Sequence, residues 1–327
     1  MSTAPRNHPS LSVAARRGWL SAFVASIRPR RIAALGSVVG QIAYYLDFRD
    51  RPVVWRNVQF CFPEWTFRKV VQFSKRVYQH LGVVALETLQ TIALRPDELI
   101  KRVEVIGSDH LLGALEEKRG VLVLAAHTGN WEVAMLAVAA SFHVPASVVS
   151  KVDPLNRFRD GIRRELGIHT IDKRGAFPGM LQALRQGHIV VIAVDRSDNK
   201  DVVEVQFFGR RTAMTMSAAL LALRCRCPVV PAFCHRKPDG GLILRLHPAF
   251  KVERSGDLRA DLQVGSQRMS DAVEAAIRRC PEQWLWPQKR WKVFYPHLYP
   301  EYLSQRKRRQ AKKMRQRRHT AETSSPS

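Results

Sequence analysis

Apolar residues along this chain recur with two periods, and stretches of the two alternate. Residues 67–94 place apolar side chains three and four apart, the mark of an amphipathic helix, and 96–101 follow as a short helix or link. Beyond them, short β-prone runs at 103–106, 121–126, 146–150, 170–171, 189–194, 229–234 and 242–246 predict strands. Helical patterns at 108–117, 155–166, 175–186 and 217–225 lie between them, and 133–140 is also compatible with a helix. Strands alternating with helices predict an α/β sheet, in which chemistry belongs at strand ends. Neither an internal repeat nor an obvious long linker breaks the pattern.

The two ends of the chain read differently. Residues 19–27 are largely apolar but are cut off by Arg28-Pro29-Arg30-Arg31, with no small-residue cleavage site, so they do not read as a cleavable signal. The next run, 32–46, has fifteen residues and carries Gln41 and the small pair Gly36 and Gly40. A membrane crossing needs about 20 residues. Two readings of it stand: an ordinary core helix, or a helix in the bilayer interface with the arginines on phosphates and Tyr44 and Tyr45 at headgroup depth. At the other end, nine of the fifteen residues 305–319 are Lys or Arg, and a polar stretch closes the chain. That composition builds no core and predicts a disordered tail, or one helical only on a surface.

Charge sharpens the picture. The chain has 327 residues, with 53 Lys and Arg against 28 Asp and Glu, a net charge of +25. This excess favours anionic partners: phospholipid headgroups, phosphorylated glycolipids or an acidic carrier protein. Nucleic acid would suit the tail alone, but no aromatic-interleaved basic module accompanies it, so it is not expected as a partner. The five cysteines are odd in number and lie in apolar or helical surroundings, which reads as free thiols in a reducing compartment. Cys225, Cys227 and Cys234 lack zinc-site spacing, and no metal is expected.

The candidate chemistry lies in Val121-Leu-Val-Leu-Ala-Ala-His127-Thr-Gly-Asn-Trp-Glu132. An apolar run ends at a histidine, a glycine turn follows, and an acid opens the next helical stretch. Histidine titrates near operating pH, which suits a general base. Five residues on a helix turn through about 500°, so His127 and Glu132 can converge only if the histidine sits on the loop and the acid on the first helical turn. By itself the pair would also fit a histidine that merely closes a strand. No zincin spacing, nucleophile elbow or Walker loop occurs in the chain.

Further motifs fall in register with this one: Arg56-Asn57 followed by Phe62-Pro63-Glu64, Leu81-Gly82 with Glu87, Asp195 at the end of a strand, Phe207-Phe208-Gly209-Arg210, and Trp284-Leu-Trp286 through Arg290-Trp291-Lys292. Together, over residues 30 to 298, the set resembles the bacterial lipid A late acyltransferases, the lauroyl and myristoyl transferases. These belong to the lysophospholipid acyltransferase superfamily, whose signature is H-x4-D/E. The resemblance implies a mixed, mostly parallel sheet flanked by helices, as in glycerolipid acyltransferases, behind an N-terminal helical membrane-associating region. It divides the chain into helical residues 1–100, a catalytic α/β domain at 101–300 and a basic tail at 301–327. It further implies an enzyme at the cytoplasmic face of the inner membrane. That enzyme would move an acyl chain from a thioester to a hydroxyl of a lipid A precursor or related glycolipid. The donor would be acyl carrier protein or coenzyme A, with no cofactor. A phosphatidylinositol mannoside or other glycolipid acyltransferase is the alternative on the same fold. A non-catalytic lipid- or nucleic-acid-binding protein is the rival of a different class.

On this resemblance His127 takes the acceptor hydroxyl's proton, Glu132 holds the imidazole tautomer, and the acyl group passes directly without an acyl-enzyme. Backbone amides near Gly129 are candidate oxyanion donors. Lys151 stands where the family has arginine and would hold a phosphate or the carrier's phosphopantetheine, or is a solvated loop residue. Asp195 would orient a catalytic group or bind an acceptor hydroxyl, or caps a turn; Arg196 follows it where relatives show glutamine. Arg210 would bind an acceptor phosphate, or is an exposed turn arginine. Glu87 is either a partner of the site or exposed. The tryptophan cluster at 284–291, in which Gln288 replaces the family's histidine, reads as packing or interfacial anchoring.

Overall fold

The computed structural model describes residues 27–91, 98, 101–142, 144–150, 160–161, 163–164, 166–196 and 201–304. Lys151, the first 26 residues and the basic tail from 305 onward lie outside the described residues, as do most of the helix expected at 155–166 and of the link at 96–101.

Three helices open the fold: α1 (Pro29–Leu46), α2 (Arg51–Cys61) and α3 (Phe67–Thr91). Proline at the first turn starts α1, where its missing N–H costs nothing. Ile32, Gly36, Gly40 and Tyr44 form the buried stripe of α1, one residue per turn. The two glycines let its backbone cross that of α3: a Cβ at Gly36 would stand 2.5 Å from the Val83 Cα, and one at Gly40 would strike the Tyr78 carbonyl. The opposite face of α1 is apolar yet exposed, with Leu35, Val38, Val39, Ile42 and Leu46 between 45% and 70% exposed and nothing among the described residues upon them. Among the described residues no helix is long and apolar enough to cross a membrane.

The remainder alternates: β1 (Val103–Ile106), α4 (Ser108–Glu116), β2 (Val121–Ala125), α5 (Trp131–Phe142), β3 (Ala146–Ser150), β4 (Ile168–Asp172), α6 (Ala176–Arg185), β5 (Ile189–Ala193), β6 (Val202–Phe207), β7 (Arg210–Thr215), α7 (Ser217–Cys225), β8 (Val229–Arg236), β9 (Leu242–Leu246) and α8 (Leu258–Arg279). Seven strands make one sheet in the order β1-β9-β8-β2-β5-β3-β4. Every neighbouring pair in it is parallel except β8 and β9, which are antiparallel. This is the mixed, mostly parallel α/β sheet expected. Central strands such as β2 are apolar without alternation because both faces are covered. One face packs under α4 and α5, the other under α2, α3, α6, α7 and α8 in a core those helices share with the C-terminal segment.

Three elements have no counterpart in the sequence reading. β6 and β7 form a separate antiparallel hairpin, whose turn is Phe208-Gly209 with φ of 54° and 67°. Two successive positive φ values are what a two-residue hairpin turn requires, and the Phe-Phe-Gly-Arg motif is that turn. Helix α8 starts at Asp257, whose carboxylate accepts the Arg259 and Ala260 amides. Its apolar stripe, Leu262, Met269, Val273, Ala276 and Ile277, joins the core, and its polar positions bond the hairpin, as in Ser270 to the Gln206 carbonyl at 2.9 Å and the Gln206 amide to Gln267 at 2.8 Å.

Candidate active site

β2 and β5 lie side by side with Ala125 opposite Ala193, and two more residues along each chain bring His127 and Asp195 face to face. His127 Nδ1 lies 2.7 Å from Asp195 Oδ1. Asp195 Oδ2 accepts two further N–H groups, the His127 backbone amide at 3.1 Å and the Trp284 indole at 2.9 Å. Burial would raise the pKa of this fully buried carboxyl. The His127 charge and hydrogen bonds from His127 and Trp284 outweigh it and hold the group well below the usual carboxylate range. Burial likewise pulls His127 down, but the charge and hydrogen bond of Asp195 prevail and its pKa is raised.

The orienting contact expected of Glu132 is thus made by Asp195. Glu132 does stand on the first turn of α5, as the spacing requires, but its carboxylate accepts from Arg163 Nη2 at 3.0 Å. Arg163 is 3% exposed and also donates to Asp160 at 3.0 Å. Glu132 faces the same cavity as His127, and its charge favours the protonated imidazole.

Gly129 serves the turn and not the oxyanion. Its φ is 55°, and a Cβ there would meet the Cys234 carbonyl at 2.6 Å, so only glycine fits. Its amide donates to the Gln283 carbonyl at 3.1 Å, which uses up the donor expected to face substrate. Below the turn, the Gly129 carbonyl accepts from His80 Nε2 at 3.2 Å. Burial pushes His80 down to about 3, so it is a neutral donor.

Glu87 is buried, and both its oxygens take the Arg236 guanidinium while Asn130 Nδ2 donates to it at 2.9 Å. It is a structural partner of the loop that carries His127. Arg210 lies away from the cavity, its guanidinium 4.9 Å from the Phe60 ring centroid and its Nε donating to the Phe60 carbonyl at 3.4 Å. Trp284, Trp286 and Trp291 are fully buried, which rules out a role at a membrane surface. Trp284 instead bonds Asp195, a role the sequence reading missed; the motif's place near the catalytic strands was not visible from its position late in the chain.

A cavity of about 840 Å³ opens at these strand ends. Its deeper wall is apolar, formed by Val123, Val191, Ala134, Met135 and Val138 between the sheet and α5. Its polar wall carries His127, Glu132, Arg163, Lys173, Arg196 and Asp201. Arg196 is exposed, makes no ion pair among the described residues, and its charge opposes protonation of His127. Cys234 also lines the cavity, but burial pushes its thiol up to about 12, so it stays protonated and offers no thiolate nucleophile. A base with one nitrogen anchored, an apolar slot and cations on the same cavity wall can deprotonate a hydroxyl beside a bound acyl chain.

Comparison with known proteins bears on the family. The family model described as "Bacterial lipid A biosynthesis acyltransferase" matches residues 14–293. The lipid A biosynthesis lauroyltransferase of Escherichia coli K12 is 29% identical over 271 residues, covering 80% of this chain and 85% of that one. The phosphatidylinositol mannoside acyltransferase of Mycolicibacterium smegmatis is 26% identical over 211 residues, covering 63% and 67%. A lipid A biosynthesis acyltransferase of Haemophilus influenzae is 24% identical over 277 residues, covering 82% of each.

Proposed function

Because this chain belongs to the bacterial lipid A biosynthesis acyltransferase family, we propose that it carries a fatty acyl chain from acyl carrier protein to a hydroxyl of a lipid A precursor or related anionic glycolipid, at the cytoplasmic face of the inner membrane. His127 is the general base and Asp195 its orienting carboxylate. One observation carries this reading: the anchored His127 imidazole borders a cavity whose depth is apolar.

With Nδ1 committed to Asp195, Nε2 is the nitrogen left to receive a proton. The acceptor oxygen attacks the thioester carbonyl as Nε2 takes its proton. The tetrahedral intermediate then collapses, the carbon–sulfur bond breaks, and the imidazolium returns the proton to the departing thiolate. Asp195 favours the imidazolium that forms in between. Since the Gly129 amide is occupied, the developing oxyanion falls to the cavity's cations, among them Arg196, whose charge reaches His127. The acyl chain fills the slot against α5, where each buried methylene contributes about 0.8 kcal/mol.

Membrane attachment is supported by the exposed apolar face of α1 and by the net charge of +25. The relative named for phosphatidylinositol mannoside keeps that acceptor class as a second reading. The test is a membrane-fraction assay with labelled acyl carrier protein and each acceptor in turn. Wild type labels one acceptor class, and His127→Ala loses the transfer. An unchanged rate in His127→Ala refutes the mechanism, while binding without turnover in wild type returns the non-catalytic rival.

A further inference from the structure

The segment from Gln283 to Leu285 grips both members of the His127–Asp195 pair. Its backbone clips the turn after β2: Gly129 donates to the Gln283 carbonyl at 3.1 Å, Leu285 donates to the His127 carbonyl at 3.1 Å, and Thr128 and Trp284 form an antiparallel bridge. Its one polar side-chain contact with the pair runs from the Trp284 indole to Asp195, 89 residues earlier in the chain.

The geometry at Asp195 gives that contact a purpose. Two N–H groups, from Trp284 and from the His127 backbone, converge on Oδ2, and this sets the rotation of the carboxylate. Oδ1 is thereby turned to the imidazole at 2.7 Å. With Trp284 removed, the backbone amide alone would hold Oδ2, and the carboxylate could turn about its χ2, which is a soft torsion. The indole itself cannot swing away. It is fully buried, with ring centroids of Trp286 at 4.8 Å and Phe207 at 5.6 Å.

We propose that Trp284 is a positioning residue of the acyl transfer: its indole N–H fixes the Asp195 carboxylate so that Oδ1 meets His127 Nδ1, while the backbone around it fixes the turn that carries His127. The C-terminal segment thus completes the acid–base pair. This rests on the reading of His127 and Asp195 given above, and makes a claim of its own, since a tryptophan serving only to fill the core would act on stability and not through Asp195.

The experiment compares Trp284→Phe, Asp195→Asn and the double variant, using lauroyl-acyl carrier protein and a phosphorylated lipid A precursor as probes. Trp284→Phe keeps the aromatic packing and deletes the N–H. It should lower kcat about ten- to a hundredfold, the scale of a hydrogen bond to a charged group, with KM for both substrates within about twofold of wild type. In the Asp195→Asn background the same change should cost less than about threefold, because no carboxylate remains to be positioned. An equal loss in both backgrounds, or full kcat in Trp284→Phe, overturns the proposal. Full activity in Asp195→Asn refutes the underlying base–acid reading instead, which is a distinct result. If Trp284→Phe does not fold, the Trp284 indole N–H resonance in the otherwise native chain decides. It should move upfield in Asp195→Asn, and an unchanged resonance overturns the proposal.

Discussion

At Asp195 a carboxylate sits where water cannot reach, and an unpaired charge there would cost several kcal/mol. Two N–H groups and a titrating imidazole repay that cost, and the imidazole's contact with Asp195 leaves His127 more basic than a free histidine. A general base works only when unprotonated, so the acid limb of kcat/KM against pH should lie above the ordinary histidine value of about 6.5. Asp195→Asn removes the cause of the raised value and leaves the wrong tautomer favoured. The expected outcome is a loss of about 10³- to 10⁴-fold in kcat, with any residual acid limb moved to lower pH. Glu132→Gln leaves the Nδ1 partner in place and should move that limb little; a shift as large as that of Asp195→Asn would return the orienting role to Glu132. Stability follows the same pair with opposite signs. The depressed Asp195 contributes above the ordinary carboxylate range and loses this as pH falls through its own pKa. The raised His127 contributes below the ordinary histidine pKa and loses this as pH rises through its elevated one.

Helix α1 separates two jobs by face. Ile32, Gly36, Gly40 and Tyr44 dock on α3, while Leu35, Val38, Ile42 and Leu46 look outward with nothing among the described residues upon them. Outward-facing apolar side chains on this scale mark a contact surface. Val38→Glu with Ile42→Glu leaves the docked face alone, so the melting temperature should hold while partition into vesicles of anionic phospholipid falls at least about tenfold. Unchanged partition would show that the vesicle contact lies elsewhere. The expected helix at 32–46 is therefore present; one stripe is that of a core helix, and the other is exposed and apolar, so the vesicle measurement decides the interface role. The hairpin of β6 and β7 and helix α8 stood outside the expected elements, although Val203, Val205 and Phe207 alternate along β6 and Leu262, Met269, Val273 and Ile277 recur at helical spacing along α8. The polar residues between them, which bond the two segments to each other, dilute that rhythm.

Across the whole molecule, distant parts of the chain are tied by a few buried polar groups. Asn57 on α2 donates to the carbonyls of Trp286 at 2.8 Å and Gln288 at 2.7 Å, and accepts from the Tyr299 hydroxyl at 2.6 Å. Fully buried Arg290 donates to the Ala213 carbonyl at 3.0 Å and stacks over Phe207. Burial draws its pKa down to about 10 against the pull of the Asp195 charge. Asn57→Ala would take one of two donors from each of the Trp286 and Gln288 carbonyls and leave the buried Tyr299 hydroxyl without its acceptor, the last costing about 1–3 kcal/mol before relaxation. It should lower the melting temperature by several degrees, and part of the activity should go with it, because the same segment holds Trp284. A melting curve matching wild type would show that the tie is dispensable. At the same scale, the charge of +25 predicts that binding to anionic vesicles weakens steeply with added salt, whereas salt-insensitive binding would assign attachment to the α1 face alone.

Residue order alone determined the alternating α/β plan, the place of His127 at a strand end, the need for glycine after it and the basic balance of the chain. These follow from local periods, turn chemistry and composition, which act over a few residues. The partner of His127 was decided elsewhere. Glu132 is five residues away in the chain, but strand register sets Asp195, 68 residues on, directly against the imidazole. A hint was present, since Asp195 follows its strand as His127 follows its own, and parallel neighbours bring such ends together. Which strands are neighbours, however, is settled by how helices cover both faces of the sheet. The occupied amide of Gly129, the remote seat of Arg210 and the hold of Trp284 on Asp195 share that origin: each depends on a contact between segments that only the closed core brings within reach.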